Sequence, residues 1–516
     1  MNKHRYVVVF FVVLSISIFL LQSNNIGFEN GHHGWVSSNT LAIIDKATYE
    51  NGFVGYSRGI VDQDGQKEYV YFDRYPFFFS ASIKLLWSIF NLDLSSKIYW
   101  TRQFMNIFFV LCIVLTFLIT NILIQDQIKS LTVTILSYSG YFWIYYKDMV
   151  HFDQPAVFGF LLTLYSVFRY RLMDGSKWQV LICSLIGVSL GRGYATYAIL
   201  GLWIIFEIFE MLVGFSWRNW KNIILFILKL DSVKISLVCF VFSAAMLGYN
   251  VSMEAETRGV AIRDTSIVQS AIKRLGFDHK VFERYKADLK WNRFTAEQIR
   301  RFFLGILPYS LNKHQFQQMN LLQSIFLFLV FLLLIYYVFR AKDLKPKRNF
   351  YFLLLSGFMW TIPMRHLTAF HDYTAIYNVG LYVIFFLALT NIIPKRLNYI
   401  MMIVSIIVFY SSLISVKNHH DKVGRELNVI TLDFERIDEA LGEIPQNIFY
   451  KHDFLKGIAT NSPHTMGFYV GKHWKSDVSF ADYLLSRNSN LSFKKINLGN
   501  RKIFLYKITR YKWKCL

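Results

Sequence analysis

The stretch Gly27–Asn39, GFENGHHGWVSSN, comes directly after the apolar run Tyr6–Leu21, YVVVFFVVLSISIFLL, and the two decide the fold when read together. A run of this kind without charge is built to enter a bilayer. The polar stretch behind it carries a carboxylate, Glu29, two adjacent histidines, His32 and His33, and Trp35. A cleaved leader would show a small-x-small cleavage pattern after its apolar core. None follows here, and many apolar blocks come later, so the run reads as a retained first helix. Gly27–Asn39 then lies just beyond the far membrane face, as the first piece of a site there.

The composition agrees. The 516 residues are 54% hydrophobic and 18% aromatic, above the roughly 45–50% apolar content of soluble domains. The excess is gathered into blocks of about 17–22 residues with few charges, the length that crosses a hydrocarbon core of about 30 Å. The net charge of +22, from 56 basic and 34 acidic residues, would point to nucleic acid in a soluble chain. Here the basic residues sit at block edges and in loops, so membrane lipids are the expected partners and nucleic acid is not. Of the four cysteines, Cys112, Cys183 and Cys239 lie inside apolar blocks and Cys515 is next to last, which gives no disulfide framework.

Hydropathy places about eleven spans, near 6–22, 104–124, 129–146, 154–170, 178–191, 194–213, 233–250, 321–339, 350–364, 373–392 and 397–416. The segment 76–91, PFFFSASIKLLWSIFN, is short and carries Lys84, so it reads as an interfacial helix rather than a span. With a cytoplasmic N-terminus, every short inner loop is then basic, most densely at 340–348 with Arg340, Lys342, Lys345, Lys347 and Arg348. The division that follows is a transmembrane part, 1–416, with two long outer loops, 23–103 with interfacial helices and 251–320 with a helical pattern. A charged region, 417–516, follows it on the outer side. That last region has alternating runs at 447–450, 467–470, 492–498 and 502–508 with helical stretches at 432–442 and 480–487, the pattern of a small soluble α/β domain.

Under this topology the unusual polar residues fall on one face. Besides Glu29, His32 and His33 these are Asp73 and Arg74 (YFDRYPF), Arg102 at the opening of the second span, and Lys147, Asp148, His151 and Asp153 (YYKDMVHFDQP). Arg192 (LGRGY) follows, and then Arg365, His366, His371 and Asp372 (MRHLTAFHDYTAIY). Ionisable groups at membrane depth are costly and point to function. Each has a plainer reading. Arg192 can snorkel to the interface, Asp153 before Gln154-Pro155 is a good helix start, His32 and His33 can be ordinary loop histidines, and Asp73-Arg74 can be a local ion pair worth about 0–1 kcal/mol. Convergence of five stretches on one face favours a site. Histidine suits general base work near neutral pH, and arginine grips phosphate oxygens in a bidentate way. Paired His with His-x-Asp also suits a divalent ion such as Zn or Mn, though the spacing matches no compact metal motif, so no cofactor is certain.

The order of these features resembles the membrane glycosyltransferases of the GT-C fold, specifically the bacterial relatives of protein O-mannosyltransferase and of the lipid A aminoarabinose transferase (glycosyltransferase 39/83-like). The elements that carry the resemblance are one helix into a large outer loop, the aromatic-x-Arg-aromatic-Pro stretch Tyr71–Pro76, and Arg102. They continue with an acidic residue before a helix at Asp153 and a basic residue between glycines at Gly191-Arg192-Gly193. The resemblance covers roughly residues 6–392. It implies transfer of a hexosyl or pentosyl group from a polyprenyl-phosphate donor to a lipid, glycan or protein acceptor, at the outer face of a bacterial inner membrane. Its catalytic residues would come from Glu29, His32, His33 and Asp153, with Arg74, Arg102, His151, Arg192, Arg365, His366, His371 and Asp372 binding substrate. The chain departs from that family where an acidic pair is usual: here stands GHHGW, with Glu29 upstream. Two other functions compete: a transporter or flippase of lipid-linked saccharides, which would carry polar residues along its spans, and a glycan polymerase or ligase of another fold.

Overall fold

The computed structural model describes residues 2–23, 32–61, 67–71, 76–190, 194–213, 223–268, 291–309, 336, 347–361, 371–441, 447–450, 473–475, 483–486, 494–498 and 501–507. The protein is mostly helical. In chain order come α1 (Asn2–Leu20), α2 (His32–Lys46), a hairpin of β1 (Tyr56–Val61) and β2 (Lys67–Tyr71), α3 (Phe78–Ile89), α4 (Leu94–Ile124), α5 (Gln127–Tyr138) and α6 (Tyr141–Tyr146). Then come α7 (Asp153–Leu172), α8 (Lys177–Ser189), α9 (Tyr194–Val213), α10 (Ile223–Lys229), α11 (Asp231–Arg258), α12 (Trp291–Ile306) and α13 (Lys347–Met359). A 3-10 turn, Asp372–Asn378, leads into α14 (Val379–Ile392), followed by α15 (Asn398–Leu441).

Among the described residues, five helical segments are long and apolar enough to cross a membrane: Ser95–Ile124, Ala195–Val213, Asp231–Arg258, Asp372–Ile392 and Asn398–Lys422. Tyr6–Leu20, Phe78–Ile89 and Lys177–Ser189 are shorter apolar helices. The expected span 321–339 lies outside the described residues.

Several elements differ from the sequence expectation, each for a local reason. The polar stretch after α1 was expected as loop; from His32 onward it is helix α2, whose buried Val36, Leu41, Ile43 and Ile44 give it a core face. Helix α4 begins well before the expected residue 104. The Asp93 carboxylate accepts from the Ser96 backbone N–H at 2.7 Å and caps it there. Its 31 residues run roughly 46 Å, so Arg102 sits two turns inside the helix, not at its opening. The expected span 129–146 is broken into α5 and α6 at Gly140, which pairs with Pro308 in an isolated antiparallel bridge. A Cβ on Gly140 would stand 1.6 Å from the Gly305 carbonyl oxygen, so only glycine lets the end of α12 cross so closely. Helix α15 runs on without a break past residue 416, so 417–441 continues the last helix, whose apolar part ends at Lys422.

The helices pack around one aromatic-rich core, with Phe109, Trp143, Phe160, Trp203 and Tyr382 all fully enclosed. Helices α7 and α8 cross at glycines: a Cβ on Gly159 would stand 2.6 Å from Gly187 Cα. Small residues at a crossing let two backbones approach and gain packing that apolar lipid cannot supply. Gly159→Leu is therefore expected to force α7 from α8 and cost about 1–3 kcal/mol, read as a lowered thermal unfolding midpoint of the detergent-solubilised protein. An unchanged midpoint would contradict the close crossing.

Near the C-terminus five short strands form one sheet in the order β4-β3-β5-β7-β6, with β3 at Asn447–Tyr450, β4 at His473–Lys475, β5 at Tyr483–Ser486, β6 at Lys494–Leu498 and β7 at Arg501–Lys507. Strands β3, β4 and β5 are mutually parallel, and β5, β7 and β6 alternate. The expected helix 480–487 is replaced by β5, because Tyr483–Ser486 pairs on both sides, with β3 and with β7. The expected strand 467–470 lies outside the described residues.

Candidate functional site

The site is built on Lys147–Asp153, the linker from α6 to α7 together with the first residue of α7. From Lys147 to Asp153 every side chain is buried, the charged ones included. A buried charge is tolerated only when it is paired and hydrogen-bonded, and the surrounding helices supply those partners. Gln22, just past α1, joins the two charges of the loop: its Nε2 donates to Asp148 Oδ2 at 2.6 Å and its Oε1 accepts from Lys147 Nζ at 2.7 Å. Asn106 of α4 donates to the same Gln22 oxygen at 2.9 Å and accepts from Lys147 at 3.3 Å. On its other side Asp148 meets His33 of α2, with Oδ1 and Nε2 3.2 Å apart. The ring of His420, from α15, lies 5.1 Å from that of His33.

Two helix ends that are far apart in sequence are thus tied to one loop. Ser23 donates to Asp421 at 2.5 Å, which fixes the end of α1 to α15 beside His420. The His33 ring stacks on Tyr146 at 6.2 Å and meets Tyr145 edge-on at 5.6 Å; Tyr145 in turn stacks on His420 and Tyr309. The donor atoms of His33, Asp148 and His420 all lie within 4.8 Å of one another. Two imidazoles and one carboxylate are a donor set that suits a divalent transition metal.

Charge is strongly skewed in this loop. Burial alone would raise the Asp148 carboxyl; the Lys147 ammonium, the His33 hydrogen bond and the nearby His33 and His420 outweigh it and hold the group well below the usual carboxylate range. Burial lowers Lys147, as does Arg102, while Asp148 opposes the shift. The surroundings of Asp148 therefore favour its charged form despite burial.

A second pair stands four residues on. His151 Nδ1 and Asp153 Oδ2 are 2.6 Å apart, and the Tyr377 hydroxyl donates to the other Asp153 oxygen at 2.8 Å. Asp153 opens α7, but its carboxylate faces His151 and Tyr377; no side-chain hydrogen bond caps this helix. The His151 and His371 rings flank Tyr373, at 5.3 and 5.2 Å. Arg301 of α12 donates to the His371 carbonyl at 3.1 Å, and Asp372 lies near Tyr146.

Of the residues singled out from sequence, His33, Arg102, His151, Asp153, His371 and Asp372 are gathered around this loop. Arg102 is buried at 1% exposure near Lys147. His32 begins α2. Glu29, Asp73, Arg74, Arg192, Arg365 and His366 lie outside the described residues. Sequence reasoning carried neither Asp148 nor His420 into the site. Asp148 was noted in YYKDMVHFDQP but passed over for the helix-opening Asp153. His420 fell in a region assigned to a separate domain, although His419-His420-Asp421 repeats the paired-histidine signal of His32-His33.

No family model matches the chain, and no curated protein matches it. Several solved structures do. Oligosaccharyltransferase AglB from Archaeoglobus fulgidus, in complex with an inhibitory peptide and a dolichol-phosphate, is 12% identical with a TM-score of 0.50, over 93% of this chain and 65% of that chain. The same enzyme in complex with Zn and sulfate is 13% identical with a TM-score of 0.50, over 92% and 67%. ArnT from Cupriavidus metallidurans in the apo state is 11% identical with a TM-score of 0.46, over 98% of each chain. The AglB likeness shows the fold: this chain has the GT-C fold of membrane glycosyltransferases, and it spans about two thirds of the AglB chain.

Proposed function

We propose that this protein is an integral membrane glycosyltransferase that moves a hexosyl or pentosyl group from a polyprenyl-phosphate donor to a lipid, glycan or protein acceptor. The observation that carries this reading is the convergence of α1, α2, the 147–153 loop, the 371–373 segment and α15 on one buried cluster of His, Asp and Lys, on a GT-C fold. AglB, which shares that fold, is described in complex with a dolichol-phosphate, which supports a lipid-linked donor here. The cluster lies on the outer face of a bacterial inner membrane, with the N-terminus inside, about eleven spans in all, and an outer C-terminal α/β domain.

In this reading His151 is the general base. Its Nδ1 lies 2.6 Å from Asp153 Oδ2, and Tyr377 donates to the other Asp153 oxygen; the imidazole takes the acceptor's proton. The acceptor oxygen bonds to the anomeric carbon as the bond from that carbon to the phosphate oxygen breaks. A single displacement inverts the anomeric centre, and the lipid phosphate leaves. Arg192 and Arg365 would bind that phosphate, a role that rests on the suitability of guanidinium for phosphate oxygens. His33, Asp148 and His420 would hold a divalent ion, which would supply a Lewis acid for the phosphate oxygens. Glu207 and Glu210, the acidic residues of α9, are paired with Ser232 and with Arg171 and Arg348. This argues against a transporter path through that helix.

The test is transfer by the purified protein in vesicles supplied with polyprenyl-phospho-sugars, with and without chelator. Wild type should release polyprenyl phosphate and Arg192→Ala should release none while reaching the membrane at normal levels. Full transfer by Arg192→Ala would remove the phosphate role.

A further inference from the structure

Helix α3 has two faces. Phe79, Ile83 and Trp87 are buried against the protein, while Phe78, Leu85 and Ile89 are exposed, with Phe90 just beyond. The exposed residues recur at helical spacing and form one apolar stripe. The helix is apolar but too short to cross a membrane. Trp100, one turn past Lys97 on α4, is exposed as well, and roughly 36 Å of helix follow it to Ile124. An exposed tryptophan at the end of a membrane-length run marks the membrane interface. Arg102, two residues further on, lies near Lys147, so α3 and the 147–153 site share one side of the membrane.

Beside the stripe, three ammonium groups share one carboxylate. Lys84 Nζ donates to the Asp45 carbonyl at 2.7 Å. The Asp45 carboxylate lies 3.3 Å from Lys46 and 3.9 Å from Lys97. Trp87 gathers two of the three: Lys97 and Lys84 stand 5.1 and 5.8 Å from its ring centre, and its Nε1 donates to Thr101 of α4 at 2.9 Å. All three lysines are half-buried. The carboxylate nearest Lys97 in the chain, Asp93, is taken up as the cap of α4. Burial lowers Lys84 below its ordinary value; Asp45 opposes this, and Lys97 and Lys46 add to it. Three cations against one anion leave a positive excess in a half-buried place, which a bound anion would offset.

We propose that α3 and the group Lys46, Lys84 and Lys97 bind an anionic phospholipid of the leaflet on the site's side of the membrane. The three ammonium groups hold its phosphate, and its acyl chains lie along Phe78, Leu85 and Ile89. Charge and shape select together. The apolar stripe takes a chain at the interface, and the positive excess favours a headgroup that brings no ammonium of its own. This holds α3, and through Trp87 the start of α4, at the membrane surface. It does not depend on sugar transfer.

The test is photolabelling of the full-length protein in phosphatidylcholine vesicles with traces of phosphatidylglycerol or phosphatidylcholine that carry a photoreactive acyl chain. Labelled peptides are mapped by mass spectrometry. Labelling of α11, whose Leu237, Phe240 and Val241 are exposed on a membrane-length helix, serves as the reference and shows that each variant has inserted. Relative to α11, phosphatidylglycerol should label α3 on the order of tenfold more than phosphatidylcholine does. Lys84→Gln keeps a donor for the Asp45 carbonyl and removes the charge. It and Lys97→Gln should each lower the preference about fivefold, and the double variant should abolish it; Lys97→Arg should keep it. No preference at α3 in wild type overturns the proposal, as does one that is undiminished in the double variant. Absence of α3 labelling by both lipids would mean that the stripe does not face lipid, and overturns it too. Loss of the preference on adding glycerol phosphate, which has no acyl chains, would leave a simple anion site and overturn the lipid assignment.

Discussion

Replacing Asp148 with alanine is expected to destabilise the protein by about 3–5 kcal/mol and to abolish sugar transfer. Asp148 is 1% exposed and answers Gln22, His33 and Lys147 at once. Removing it leaves the Lys147 ammonium buried without its anion and frees the contact that holds α2 to the 147–153 loop. Asp148→Asn keeps the size and removes the charge, so it separates packing from electrostatics. The pH dependence has a defined sign. The Asp148 carboxyl is held below its unfolded value of about 3.9, so its contribution is fully present above that value and is lost as pH falls through the lower native one. The gap in unfolding midpoint between wild type and Asp148→Asn should therefore stay constant from pH 8 to about pH 5 and close only in stronger acid. A gap that closes between pH 7 and pH 6 would mean that a histidine, not Asp148, carries the effect.

Replacing His151 with alanine is expected to lower transfer by about 10²–10⁴-fold, the usual contribution of a general base. The geometry behind this is the sequence Tyr377, Asp153, His151, with contacts of 2.8 and 2.6 Å. A carboxylate fixed by Tyr377 beside the ring stabilises the imidazolium that forms when the base takes a proton. Asp153→Asn should keep the fold and lose activity, and Tyr377→Phe should lose less, because it acts through Asp153. The discriminating readout is the pH profile of kcat/KM. Its acid limb, set by protonation of the base, should vanish from the residual activity of His151→Ala. An acid limb that persists would place the base elsewhere, with His33 or Glu29 next in order.

The helices were legible in the sequence because an apolar block of membrane length has few other fates. What was not legible lies where a distant segment decides the local structure. The break at Gly140 depends on Gly305–Pro308 crossing it. Nothing within 129–146 announces that crossing. Tyr483–Ser486 reads as helix alone and becomes a strand only because it has partners on both sides. In the site, His33, His151 and Asp153 stood out because charge is rare in apolar surroundings. Asp148 was passed over for the helix-opening Asp153, and only the enclosing Gln22, Lys147 and His33 show what it holds together. His420 was hidden by an assumed boundary at residue 417, which α15 crosses as one helix.

The most direct test of the central proposal is a single-turnover measurement of polyprenyl phosphate release. Purified wild type, His151→Ala and Asp148→Asn, each in vesicles with a polyprenyl-phospho-sugar and an acceptor extract, would be compared at equal protein. Release by wild type together with loss in both variants is the expected result. Equal release by wild type and both variants, or no release by wild type with any polyprenyl-phospho-sugar, would contradict a glycosyl transfer site at the 147–153 loop.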